Sequence, residues 1–162
     1  MTMGKNVVIL ENIRSAYNVG AMFRTADGAG ISKIYLVGYT PAPIDKFKRP
    51  QKEIAKTALG AEFSVPWEQV DDMKKLLNSL KNAGYTTIAL EQHGSSELVT
   101  EISNYTPFAL VVGSEVDGVK EATLKLVDKI LEIPMYGEKN SLNVASAFAV
   151  AVYCSALGRD HL

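Results

Sequence analysis

The sequence has one cysteine, Cys154, and only two histidines, His93 and His161. One thiol excludes a disulfide framework and a thiolate zinc site within the chain, and two histidines do not make a histidine-rich metal site, so no metal is expected. An excess of charge of one sign is also missing. Lys and Arg number 17 against 18 Asp and Glu, a formal net charge of −1. That excludes a basic footprint over the whole surface and restricts any nucleic-acid contact to a local patch. The uncharged stretch Leu142–Leu157 is 16 residues long and carries Asn143, Ser146 and Ser155, which is short of the ~20 apolar residues needed to cross a bilayer. A helix that is apolar all round is then expected in a core or an oligomer interface, with no membrane contact. Met1–Lys5 lacks the apolar centre of a signal peptide, so a reducing, cytoplasmic setting is expected.

What is present is ordinary for a globular domain: 162 residues, 47% hydrophobic and 22% charged. The expectation is one α/β domain over residues 1–162. Five runs read as strands: Asn6–Leu10, Lys33–Gly38, Thr86–Leu90, Phe108–Val112 and Lys129–Ile133. Four of them are rich in Val, Ile or Leu without strict alternation, as in strands covered on both faces. Helical spacing lies between them. Val19, Met22, Phe23 and Ala26 form one stripe, with Gly30 as a stop. Pro50 opens a second helix that ends at Gly60, and Val70, Met73, Leu77 and Leu80 form a third stripe closed by Gly84. Val119, Ala122 and Leu126 suggest a shorter one, and a last helix runs from about Ser141 to Leu157. Alternating strands and helices predict an open, mostly parallel sheet with helices on both faces. Ligands of such sheets gather beyond the C-terminal ends of the strands. Three such exits stand out: Leu90–Gly94, Gly113–Gly118 and Pro134–Ser141.

Three segments can carry chemistry. In Asn18–Asp27, Asn18 can cap a helix, and Arg24 and Asp27 lie off the apolar stripe, where a surface pair would contribute little. In Phe108–Gly118 a buried strand runs into a glycine-bearing turn with an acid, Glu115, and Gly113 would let a ligand approach the main chain. Ser114 is no hydrolase nucleophile, because the Gly-x-Ser-x-Gly spacing is missing. In Ile133–Ala147 a loop enters the uncharged helix, with Ser141 and Asn143 at its first turn and Asn140 or Ser141 as the cap. Asn143, an amide at the head of an apolar helix, needs partners. Cys154 reads as core, Trp67 as packing, and His93 as a loop histidine without an assigned task.

In order and spacing, these segments resemble the SpoU/TrmH branch of the SPOUT methyltransferases. The first resembles its Asn-x-Gly-x-x-x-Arg-x-Ala-Asp motif, the second a strand followed by Gly-x-Glu-x-x-Gly, and the third an Ile-Pro-Met…Ser-Leu-Asn-Val motif. The resemblance implies a sheet whose C-terminal part is tied in a deep trefoil knot. It also implies a homodimer packed through the first and last helices, and S-adenosylmethionine as cofactor. Main-chain groups of Leu90, Glu91, Gly113, Ile133, Met135, Ser141 and Leu142 would hold that cofactor.

The implied reaction is methylation of an RNA ribose 2′-hydroxyl, with tRNA favoured over rRNA. Arg24 would be the central catalytic residue, reaching the cofactor of the other subunit. Asn18 would orient ribose or phosphate, Glu115 would position Arg24 or Asn143, and Ser141 and Asn143 would complete the pocket floor. Beside Arg24, RNA contact is expected at Lys46, Lys48, Arg49, Lys52 and Lys56, five basic residues against Asp45 and Glu53. The alternative is a non-catalytic RNA-binding dimer that keeps the fold. A nucleotide-binding enzyme of another class would lack its Gly-x-Gly-x-x-Gly turn or P-loop lysine here.

Overall fold

The computed structural model describes residues 5–159; His161 and most of the Met1–Lys5 segment lie outside the described residues. Seven strands form one sheet: β1 Val7–Glu11, β2 Lys33–Val37, β3 Trp67–Val70, β4 Thr86–Leu90, β5 Glu97–Leu98, β6 Phe108–Val112 and β7 Lys129–Glu132. Their spatial order is β3-β2-β1-β6-β4-β7-β5, and every neighbouring pair is parallel. All five strands expected from the sequence are there, within a residue or two. Two are additional. β3 is a half-exposed edge strand, Trp-Glu-Gln-Val, and β5 has two residues. Neither is a continuous apolar run, so neither carries the pattern of a buried strand.

Alternation along each strand divides the core in two. Val8 and Leu10 of β1, with Leu110 and Val112 of β6, face Phe23 of α1 (Ala16–Gly28), Ile54 of α2 (Lys52–Ala58) and Ala61 of α3 (Ala61–Ser64). Val7, Ile9, Ala109 and Val111 face the opposite way, onto Leu76, Leu77 and Leu80 of α4 (Met73–Asn82). Val70 does not belong to the α4 stripe. It ends β3, and Asp72 caps α4 by accepting from the Lys75 N–H at 3.1 Å. α5 is a single turn, Glu121–Leu124, that buries Thr123 and leaves Ala122 exposed, so the expected Val119–Ala122–Leu126 stripe is displaced.

The last helix, α6 (Val144–Arg159), buries Phe148, Ala151, Val152 and Ser155. Val150, Tyr153 and Leu157 stand 39%, 38% and 57% exposed on another side of it. Among the described residues no helix is long and apolar enough to cross a membrane. β7 lies between β4 and β5, and the segment leaving it packs beside the exits of β4 and β6, an arrangement consistent with the knot that the resemblance implies.

α1 and α2 meet through Gly20. A Cβ there would sit 2.0 Å from Thr57 Oγ1 and 2.4 Å from the Ile54 carbonyl oxygen. The second neighbour is main chain and cannot rotate away. Gly20→Ala gains helix propensity but overpacks this contact, so a net loss of about 1–2 kcal/mol is expected. Thermal unfolding should show a Tm lower by roughly 2–8 °C; an unchanged or higher Tm would mean that α1 and α2 separate freely.

Candidate active site

The exits of β4, β6 and β7 converge on one cleft of about 780 Å³. It is lined by Leu90, Glu91, Gly113, Ile133, Met135, Ser141 and Leu142, and also by Glu115 and Asn143. The exit loops are tied to one another. The Glu91 N–H donates to the Leu131 carbonyl at 3.0 Å, and Gln92 Nε2 donates to the Asn140 carbonyl at 2.6 Å. The Glu91 carboxylate accepts from Val119 N–H at 3.0 Å and from Gln92 N–H at 3.1 Å. Gly118 has φ 67°, and a Cβ there would lie 2.2 Å from Glu91 Oε2, so only glycine lets this brace form. Gly113 lines the cleft and also has a part within the chain. A Cβ on it would lie 2.3 Å from the carbonyl carbon and oxygen of Gly118 and 2.4 Å from Val119 N. The close approach it permits is that of the protein's own turn, closed by paired hydrogen bonds between Ser114 and Gly118.

Glu115 lies on that turn, at the rim of the cleft. Its Oε1 accepts from Arg14 N–H at 2.9 Å, and its Oε2 accepts from Ser15 N–H at 2.9 Å and from Asn18 Nδ2 at 3.2 Å. Within one chain it therefore positions Asn18 and the start of α1. Asn18 is not the cap of α1; Ser15 is, its Oγ accepting from the Asn18 N–H at 3.2 Å. Asn18 is left with its amide facing the turn. Partial burial pushes the Glu115 carboxyl up, but the N–H groups of Arg14, Ser15 and Glu115 itself, with Asn18, together hold it below the ordinary carboxylate range.

A group depressed in the folded state stabilises fully above its unfolded pKa, and the contribution is lost as pH falls through the folded value. In Glu115→Gln one of the facing N–H donors meets an amide donor. Wild type is expected to exceed the variant by about 1 kcal/mol at neutral pH, since the site is partly solvated. Urea titrations from pH 7 downward should show that gap shrinking below the usual carboxylate range; a gap independent of pH would show that the charge is not what holds α1.

At the other wall, Asn143 finds the partners it needs. Its Oδ1 accepts from Ala145 N–H at 2.9 Å and Ser146 N–H at 3.3 Å, so Asn143, and not Asn140 or Ser141, caps α6. Asn143 also lines the cleft, and among the described residues its Nδ2 makes no hydrogen bond. Ser141 and Leu142 precede the helix in an exposed loop. Among the described residues, Asn140 is the only member of 135–142 that hydrogen-bonds elsewhere in the chain. The main-chain groups of that loop are therefore available to a ligand.

Arg24 is not in this cleft. It is exposed on α1 and lines a second concavity of about 770 Å³ with Asp27, Lys56, Thr57 and Tyr153. No ion pair joins it to Asp27, whose Oδ1 instead accepts from Ser64 Oγ at 2.8 Å. One chain thus divides the expected site residues between two depressions. Glu115, Ser141 and Asn143 line the first, Asn18 is joined to it through Glu115, and Arg24 lines the second.

The family model described as the SpoU rRNA methylase family matches residues 5–153. The chain belongs to the SpoU rRNA methylase family. An uncharacterized tRNA/rRNA methyltransferase of Archaeoglobus fulgidus is 31% identical over 94% of this chain and 65% of its own length. The 23S rRNA (guanosine-2′-O-)-methyltransferase RlmB of Bordetella pertussis is 29% identical over 95% of this chain and 60% of its own. The chain therefore spans 60% to 65% of the length of these curated relatives. Among solved structures, the TrmH/SpoU tRNA modifying enzyme of A. aeolicus superposes with a TM-score of 0.84 at 28% identity, covering 98% of this chain and 78% of that one. The AdoMet-bound rRNA methyltransferase of Sinorhizobium meliloti does so with a TM-score of 0.84 at 28% identity, covering 99% of this chain and 58% of that one.

The cleft lining contains four carboxylates, Glu91, Glu115, Asp117 and Glu121, and neither lysine nor arginine. Arg14 lies outside the three segments that the sequence marks out. Its guanidinium is exposed where β1 ends, and the Tyr39 hydroxyl holds its pKa above the usual arginine value, with Asp117 and Glu115 adding to the effect. The only hint was its place just beyond the first apolar run. The expected basic residues Lys46, Lys48, Arg49, Lys52 and Lys56 are all exposed, with Asp45 bound to Arg49 at 3.0 Å. Burial raises the Cys154 thiol, against a nucleophilic role, and His93 Nδ1 lies 3.0 Å from Ser95 Oγ at the cleft edge.

Proposed function

We propose that this protein methylates the 2′-hydroxyl of an RNA ribose with S-adenosylmethionine, as a homodimer. The observation that carries the reading is the charge of the strand-exit cleft. Four carboxylates and no Lys or Arg disfavour a pyrophosphate cofactor and favour a nucleoside bearing positive charge. The cleft's volume lies within the ~300–1,000 Å³ range of cofactor sites. Leu90, Val112, Ile133 and Leu142 supply apolar wall for a base, and the 135–142 main chain supplies free donors and acceptors. AdoMet in the related S. meliloti enzyme supports the same assignment.

When bound there, S-adenosylmethionine supplies a methyl group already made electrophilic by the sulfonium. The protein's task is to place a ribose oxygen in line with it, so that the O–CH3 bond would form as the S–CH3 bond breaks, S-adenosylhomocysteine would leave, and the hydroxyl proton would pass to solvent water. Positioning removes the search in translation and rotation. Arg24 stabilises the developing alkoxide with its guanidinium donors and grips the adjoining phosphate. Asn18, fixed by Glu115, orients the ribose or its phosphate. Ser141 and the Nδ2 of Asn143 donate from the floor. Because Arg24 lies outside the strand-exit cleft of its own chain, a second copy would bring it there. The exposed Val150, Tyr153 and Leu157 of α6 support such pairing, since Tyr153 lines the Arg24 concavity.

The test is methyl transfer from labelled cofactor to separated tRNA and rRNA fractions, with nuclease digestion of the product. Label in a nuclease-resistant 2′-O-methyl dinucleotide is expected, and tRNA is the proposed acceptor. Binding of S-adenosylhomocysteine and RNA without transfer to either fraction would leave the non-catalytic dimer instead. The basic segment gives a second readout. Lys48→Glu with Lys52→Glu should weaken RNA binding and reduce the magnitude of the salt slope by roughly 1–2. An unchanged slope would demote the segment to a solvated face.

A further inference from the structure

We propose that the loop between β2 and α2 captures an unpaired RNA nucleotide by stacking its base on Phe47. The proposal rests on the RNA reading above and names the side chain that meets a base. Phe47 is 65% exposed, yet its loop is firmly built. Asp45 Oδ1 accepts from the main-chain N–H groups of Phe47 at 2.8 Å and Arg49 at 2.9 Å. The Asp45 N–H donates to the Arg49 carbonyl at 2.9 Å, and the Lys48 N–H donates to the Asp45 carbonyl at 2.9 Å. Ile44 bridges to Pro50 below this turn, and Gln51 N–H closes on the Pro43 carbonyl at 2.8 Å. The turn holds a large aromatic ring out in water, where a flat partner can reach it.

The surroundings of the ring identify that partner. Arg49 Cζ lies 4.9 Å and Lys46 Nζ 5.2 Å from the ring centroid. A nucleotide brings a π face and a phosphate together. Its base takes one face of the ring, and the cation displaced from that face meets the phosphate. Base–aromatic stacking outweighs an exposed cation–π contact, so the exchange is favourable. The pattern continues beyond the loop. Lys56 Nζ stands 6.0 Å from the Tyr17 ring, and Lys56 lines the same concavity as Arg24. Aromatic rings and cations therefore alternate from the loop, through α2, to the proposed catalytic arginine. Tracks for single strands are built this way. Bases inside a duplex are already stacked and offer no free face, so the acceptor is a loop, bulge or flipped nucleotide.

The experiment compares wild type, Phe47→Ala and Phe47→Trp, binding a single-stranded RNA oligonucleotide and an RNA duplex of equal length across a salt series. Wild-type methyl transfer to bulk RNA is measured beside it. Phe47→Ala should bind the single strand about tenfold more weakly with an unchanged salt slope, and Phe47→Trp should restore the affinity. Duplex binding should not respond to any of the changes. An alanine variant within twofold of wild type on the single strand overturns the stacking assignment, even if wild type methylates RNA. A salt slope that falls in parallel overturns it too, since the loss is then one of cations. A shift in the sedimentation of RNA-free Phe47→Ala assigns the ring to a protein contact and overturns it as well. Wild type that neither binds nor methylates RNA overturns the functional reading itself, and the stacking site with it.

Discussion

Arg24→Ala is expected to lower methyl transfer by about 10²- to 10³-fold, the usual effect of removing one preorganised donor from a developing oxyanion. S-adenosylhomocysteine should bind the variant as it binds wild type, because the strand exits of one chain supply the cleft lining and the arginine comes from the second copy to meet the ribose and its phosphate. Stability should also be unchanged. Among the described residues the guanidinium makes no hydrogen bond or ion pair, and the side chain is exposed, so its removal leaves no buried group unsatisfied. These three properties distinguish a catalytic cation from a structural one. Arg24→Lys should recover only part of the rate, since an ammonium keeps the charge but not the planar fork that spans phosphate and alkoxide. Single-turnover rates, calorimetry with S-adenosylhomocysteine and thermal unfolding check the set. Turnover within a few-fold of wild type, or loss of S-adenosylhomocysteine binding along with turnover, would remove Arg24 from the role given to it.

The central sheet was legible because β6 is a continuous apolar run, β1 is one up to Glu11, and β4 carries Ile88, Ala89 and Leu90 after two β-branched threonines, so their side chains must be covered on both faces. β3 was not, because Glu68 and Gln69 face solvent on an edge strand, and Val70 happens to sit three residues before Met73, in phase with the α4 stripe. The cleft was legible for a similar reason. Three parallel strands ending in glycine- and asparagine-bearing loops must bring those loops to one edge of the sheet. Its internal wiring was not. Glu115 and Asn18 are 97 positions apart, and no local pattern says that the carboxylate will clamp the first turn of α1 rather than reach for Arg24. The helix caps shifted for a local reason. Ser15 and Asn143 each stand where a side-chain oxygen reaches N–H groups two or three residues ahead, and neighbouring Asn18, Asn140 and Ser141 offered the same chemistry to a reader of sequence alone. The separation of Arg24 from the cleft is a tertiary fact of another kind, and only the implied dimer anticipated it.

That separation yields the second large effect. Gly113→Ala is expected to lower S-adenosylhomocysteine affinity by at least about tenfold and turnover by about 10²-fold. The added Cβ would stand 2.3 Å from the Gly118 main chain, which cannot give as a flexible side chain could. The 114–118 turn must move, and with it Glu115 and the brace from Glu91 to Val119. Gly113→Ala and Arg24→Ala are then inactive for unrelated reasons, one in the cleft and one on α1. If the site is shared between two copies, subunit exchange pairs an intact cleft from the Arg24→Ala chain with an intact arginine from the Gly113→Ala chain. Random exchange makes half of the dimers mixed, with one of two sites whole in each, so roughly a quarter of wild-type activity should return. Differently tagged variants, purified as mixed dimers, make the comparison quantitative. Mixed dimers that form but stay as inactive as their parents would place cleft and arginine in the same chain's chemistry, and the shared site would have to be given up.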